Sequence, residues 1–80
     1  MPKTIFTGAN RTVVEMLRRE RLRADLTQAQ LAERLNKDQS WVSLVEGSQR
    51  RVDIVEFIQI AHALDVDPCV LLREIEDKLP

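Results

Sequence analysis

The sequence predicts an all-α domain, a compact bundle of five short helices. Three observations carry that reading. No run alternates apolar and polar residues with a period of two, so nothing signals a strand. Three helix-start signatures recur: Thr27-x-x-Gln30, Asp53-x-x-Glu56 and Asp67-Pro68. After each, apolar residues fall at helical spacing. A chain of 80 residues makes one small domain, which buries only about 60% of its unfolded surface.

Residues 1–9 hold Pro2, Gly8 and few apolar side chains, and read as a flexible N-terminal arm before a folded domain over 10–80. Asn10 is a candidate cap for a first helix over 11–24, with Val13, Val14, Leu17 and Ala24 on its apolar stripe. Thr27 and Gln30 form a capping box, worth about 1 kcal/mol, before a second helix. Leu31, Ala32 and Leu35 give that helix one buried face. It ends near Leu35, because Asn36 tolerates the left-handed conformation a tight turn requires.

Asp38 caps a third helix that runs to about Val45. Val42 and Val45 face inward at i, i+3, so Gln39, Ser40, Ser43 and Leu44 share the opposite side. Gly47 and Ser48 end it, and a polar loop with Gln49, Arg50 and Arg51 follows. Asp53 and Glu56 open a fourth helix over 54–64, whose inward residues are Phe57, Ile60, Ala61 and Leu64. Asp67 caps a fifth helix with Pro68 in its first position. That helix carries Val70, Leu71, Ile75 and Leu79.

Charge is unevenly spread. Residues 1–24 carry six Lys/Arg and two acids, residues 25–52 balance, and residues 53–80 carry seven acids and two bases. A domain with a basic side and an acidic end can meet a polyanion through one face although its net charge is −1. Cys69 is the only cysteine, which excludes an internal disulfide and fits a reducing compartment. No apolar run reaches the roughly 18 residues a membrane span needs, and the start is too polar for a signal peptide, so a cytoplasmic protein is expected. One histidine, His62, and one cysteine cannot supply a metal site. Neither a Ser/His/Asp set nor a glycine-rich phosphate loop is present, so no enzyme activity, metal or cofactor is expected.

The stretch Thr27–Gly47 is the most informative. It encodes two short helices joined by a tight turn, the helix-turn-helix arrangement that places its second helix in the major groove of DNA. Gln39, at the start of that helix, is the first candidate for base readout, since a glutamine bonds bidentately to adenine N6 and N7. Ser40, Ser43 and Leu44 share its face, the serines able to reach bases or phosphates and Leu44 able to touch a thymine methyl. Trp41 lies at the edge of the face, where an indole can pack on the second helix and turn its N–H to a phosphate. Arg50 and Arg51 are candidate phosphate contacts, with Lys37 and Arg11 weaker ones.

Three stretches sharpen the reading. They are Leu26-Thr-Gln-Ala-Gln-Leu-Ala-Glu-Arg-Leu35, Gln39-Ser-Trp-Val-Ser43 with Glu46, and Arg50-Arg-Val-Asp-Ile-Val-Glu-Phe57 continuing through Ala61-His-Ala-Leu-Asp-Val-Asp-Pro68. In this order and spacing the chain resembles the Cro/C1-type helix-turn-helix regulators, the xenobiotic-response-element family. The resemblance implies a lambda-repressor-like DNA-binding domain. It implies that Gln28, opening the second helix, contacts the DNA backbone and braces Gln39, and that Arg21 and Glu46 form a partly buried structural ion pair. Asp25 and Asn36 stand where the family usually has glycine. Gly47-Ser48 replaces a polar residue followed by glycine, and Leu44 replaces a commonly basic or polar residue.

The expected function is therefore that of a sequence-specific DNA-binding transcriptional regulator, a repressor acting as a homodimer on a two-fold-related operator. The expected dimer contact is the last helix, through Leu71, Leu72, Ile75 and Leu79. The alternative is a protein-interaction module, an antitoxin or accessory subunit that binds a protein partner with the same helices. Leu44, Trp41 and the near-neutral charge favour that alternative.

Overall fold

The computed structural model describes residues 8–79. Five helices follow one another: α1 Asn10–Arg23, α2 Gln28–Leu35, α3 Gln39–Glu46, α4 Ile54–Ala63 and α5 Pro68–Lys78. No strand occurs among the described residues. None of these helices is long and apolar enough to cross a membrane.

Local chemistry sets the helix starts. Thr27 Oγ1 accepts from the Gln30 N–H at 3.1 Å, and the Thr27 N–H donates to Gln30 Oε1 at 2.8 Å. Asp53 and Glu56 repeat the reciprocal box at 2.7 and 3.0 Å. Asp67 Oδ1 accepts from the Cys69 N–H at 2.8 Å, with Pro68 in the first turn. Two expected caps differ. Ala9 already has helical backbone angles, so Asn10 lies inside α1. Its buried side chain reaches across the domain, donating from Nδ2 to Ser48 Oγ at 2.7 Å. Asp38 holds the extended N-cap conformation of α3, but its side chain makes no capping bond. Residues 1–7 of the expected arm lie outside the described residues.

The ends of α1 to α4 share one device. Asp25, Asn36, Ser48 and Asp65 are left-handed, at φ 59, 57, 59 and 59°. Each is followed by an N–H that reaches back five residues, as Lys37 does to the Ala32 carbonyl at 2.9 Å and Val66 to that of Ala61 at 2.9 Å. This motif satisfies carbonyls that a helix end otherwise leaves bare. Ser48 rather than Gly47 takes the left-handed position after α3. A left-handed conformation costs a residue with a Cβ roughly 1–2 kcal/mol, partly offset by the greater freedom of glycine in the unfolded chain. Asp65→Gly should therefore raise stability by about 0.5 kcal/mol in a urea titration. A lowered midpoint would refute that estimate.

The core is a single cluster. Met16 and Leu17 of α1 meet Leu31 and Ala32 of α2, Val42 of α3, Phe57 and Ile60 of α4, Leu64 just after it, and Leu71 and Ile75 of α5. α1 packs on α3 and α5, α2 on α3 and α4, and α4 on α5. This arrangement corrects the expected dimer face. Leu71 and Ile75 are 2% and 3% exposed, while Leu72 and Leu79 are 49% and 37% exposed. The first two belong to the chain's own core and have no surface to offer a second copy. Only Leu72 and Leu79 remain outward, because α5 lies along the bundle and buries just one stripe of its circumference. Val70 is likewise outward.

Candidate nucleic-acid interface

α3 owes its orientation to two valines. Val42 and Val45 are buried against the bundle, which leaves Gln39, Ser40, Ser43 and Leu44 exposed on the far side. Leu44 is 43% exposed, a large apolar side chain in the middle of a polar face.

Behind Gln39 a hydrogen-bonded chain runs into the protein. Gln39 Nε2 donates to Gln28 Oε1 at 3.2 Å, and Gln28 Nε2 donates to Glu46 Oε1 at 3.1 Å. Glu46 accepts from Arg21 through Nε at 2.7 Å and Nη2 at 2.9 Å. Arg21 spends its remaining arm on the Leu26 carbonyl at 2.7 Å. The Arg21 and Glu46 side chains are only 8% and 7% exposed. The pair joins α1 to the last residue of α3, and the Leu26 contact fixes the approach to α2. One network thus clamps both helices of the helix-turn-helix and ends at an exposed glutamine, Gln39.

A second cluster forms beside it. Trp41 is half-buried, with Lys37 Nζ and Arg50 Cζ at 5.0 and 5.1 Å from its ring centroid. Cations this close to an aromatic ring are held by its quadrupole. The indole nitrogen is fully buried and makes no hydrogen bond. In this conformation Trp41 therefore does not turn its N–H toward a phosphate as expected from the sequence. It acts as a platform for two cations.

Arg50 is also engaged. It pairs bidentately with Glu56 at 3.0 Å through each arm and donates to the Arg51 carbonyl at 2.9 Å. The Arg50 guanidinium holds the Glu56 carboxyl below its ordinary range, with help from the Asp53 N–H, and Glu56 in turn raises Arg50. Lys37 and Arg51 are exposed. Lys37, Asp38, Ser40, Trp41, Leu44 and Arg50 border an open groove of about 510 Å³ on this face.

The structure thus gathers Gln28, Gln39, Arg21 and Glu46 into one network, and Lys37, Trp41 and Arg50 into another. Sequence reasoning missed the Gln28–Glu46 link and the second duty of Glu56. The capping box claimed Glu56 for its own backbone, and no periodicity shows that Arg50 folds back six residues to meet it.

A family model described as a helix-turn-helix domain matches residues 13–73. No curated protein matches the chain significantly. Among solved structures, the chain is similar to an XRE-family like protein from Pseudomonas syringae pv. tomato. The two are 35% identical, with 99% of this chain and 96% of that one covered and a TM-score of 0.86. It is similar to the restriction-modification controller protein C.AhdI from Aeromonas hydrophila at 35% identity, over 78% of this chain and 90% of that one, with a TM-score of 0.72. The wild-type controller C.Esp1396I shares the fold at 24% identity, over 89% and 93% of the two chains, with a TM-score of 0.81. Matching geometry, family motif and near full-length relatives agree: the chain belongs to the XRE-type, Cro/C1-like helix-turn-helix family.

Proposed function

We propose that the protein is a sequence-specific DNA-binding regulator of transcription, in which α3 enters the major groove. The observation that carries this reading is Gln39. It stands exposed at the first turn of α3 with its amide already held by Gln28. A bidentate glutamine contact to adenine discriminates by about 1–3 kcal/mol, and it is cheaper to form when the side chain is ordered beforehand. Ser40, Ser43 and Leu44 complete the reading face, Leu44 against a thymine methyl. Lys37 and Arg51 lie at its border for phosphates. Arg50 contributes through the Trp41 platform and reaches a phosphate only in competition with Glu56. The controller proteins and the XRE-family like protein share this fold, which supports the reading.

The regulator acts as a homodimer on a two-fold-related operator, with half-sites about 10 bp apart or a multiple of that, and represses by occluding the promoter. Leu72 and Leu79 are what α5 offers to a second copy. No catalytic step, metal or cofactor enters this function. Gln39→Ala is expected to cost about 1–3 kcal/mol on the selected operator and to flatten the preference at one base pair per half-site. Affinity should also fall steeply with salt. Binding that ignores both Gln39 and salt would refute the proposal.

One observation favours a second reading, a protein-interaction module. Leu44 is exposed beside the Trp41 groove. In that case Leu44→Asp would abolish a protein complex while Gln39→Ala left the complex unchanged.

A further inference from the structure

We infer that Glu46, acting through Gln28, sets which purine Gln39 reads, so that this buried carboxylate is a positioning residue selecting adenine over guanine. The inference rests on the proposed reading of DNA by α3.

The argument follows the direction of one hydrogen bond. An ionised carboxylate only accepts. Glu46 already accepts from two of the Arg21 donors, and its Oε1 also faces Gln28. Gln28 must therefore turn its NH2 toward Glu46, at 3.1 Å, which points its carbonyl oxygen at Gln39. Gln39 must in turn donate inward, and does so through Nε2 at 3.2 Å. One N–H and the carbonyl oxygen of Gln39 are left for the groove. That donor-plus-acceptor pair complements adenine, which offers N7 as an acceptor and N6–H as a donor.

The reversed network gives the opposite result. If Gln28 presented its NH2 to Gln39, Gln39 would turn its oxygen inward and aim both N–H groups outward. Two donors complement guanine, whose N7 and O6 are both acceptors. The energy separating the two states comes from a charge that never touches DNA. Arg21 holds that charge in place from α1, where it is screened little by solvent.

The test uses the full chain and an operator selected from random duplexes. The base pair read by Gln39 is the one whose preference Gln39→Ala removes. There the wild-type protein should favour A·T over G·C by about tenfold. Gln28→Lys replaces the amide with a group that only donates, so it can pair with Glu46 and still force Gln39 to turn its oxygen inward. The A-over-G ratio is expected to fall by roughly fivefold or more, toward guanine, while preferences at the other positions hold. A smaller fall overturns the inference. Gln28→Ala leaves the Arg21–Glu46 pair intact and frees the Gln39 amide, so it decides the matter where the lysine variant does not fold: loss of the ratio supports the inference and retention overturns it. If Gln39→Ala removes no preference anywhere, the proposed reading of DNA falls and takes the inference with it. If Gln39→Ala flattens one position and both Gln28 variants keep the ratio, the inference alone falls.

Discussion

Arg21→Ala is expected to destabilise the domain by about 3–5 kcal/mol. The reason is what it leaves behind. Glu46 would lose its cation in a site that is 7% exposed, with only the Gln28 amide left beside it. The Leu26 carbonyl would also lose its donor. In a small domain each kcal/mol shifts the melting temperature by about 4–8 °C, so circular dichroism should show a drop of more than about 10 °C. An unchanged melting curve would sink the structural role of the pair. Replacing both partners with apolar residues, as in Arg21→Met with Glu46→Leu, should recover much of the loss, because a buried ion pair adds little net stability over well-packed carbon. The double variant would nonetheless leave Gln28 without its acceptor. Stability and base preference should therefore separate: the fold returns and the preference at the Gln39 position does not.

The second large effect concerns α5. Leu71→Ala should cost about 2–5 kcal/mol, and Leu72→Ala no more than about 0.5 kcal/mol, measured by urea denaturation at low protein concentration. Leu71 is 2% exposed and belongs to the cluster that contains Phe57, Ile60, Leu64 and Ile75, so truncation removes buried surface and opens a cavity. Leu72 is half exposed and loses little in the monomer. Its contribution should emerge only as protein concentration rises, if α5 meets a second copy there. Equal losses from the two substitutions would overturn the division of α5 into a core stripe and an outward one.

Much of the fold was legible because its signals are local. A capping box needs only four consecutive residues, and both Thr27-x-x-Gln30 and Asp53-x-x-Glu56 form as written. Asn36 announces a left-handed turn through its own conformational tolerance, and it makes one. Val42 and Val45 sit three residues apart and are both buried, so the outward face of α3 followed from spacing alone. Asn10 misled because a cap residue and a buried hydrogen-bonding residue look alike in sequence. Its partner, Ser48, lies 38 residues away. Leu71 and Ile75 misled for a related reason. Helical periodicity shows that residues share a stripe, but which part of a broad apolar stripe the neighbouring helices cover depends on how α1 and α4 pack.

The sequence by itself determined the family, the five helices, the starts of α2 to α5 and the outward face of α3, since each rests on propensity, capping or periodicity within a few residues. The tertiary structure decided what the exposed polar side chains of this face are connected to. The Arg21–Glu46–Gln28–Gln39 chain draws on three helices, and the Lys37–Trp41–Arg50 stack joins a turn, a helix and a loop. The orientation of an amide and the partner of a guanidinium depend on groups far apart in the chain, and only packing brings them within hydrogen-bonding distance.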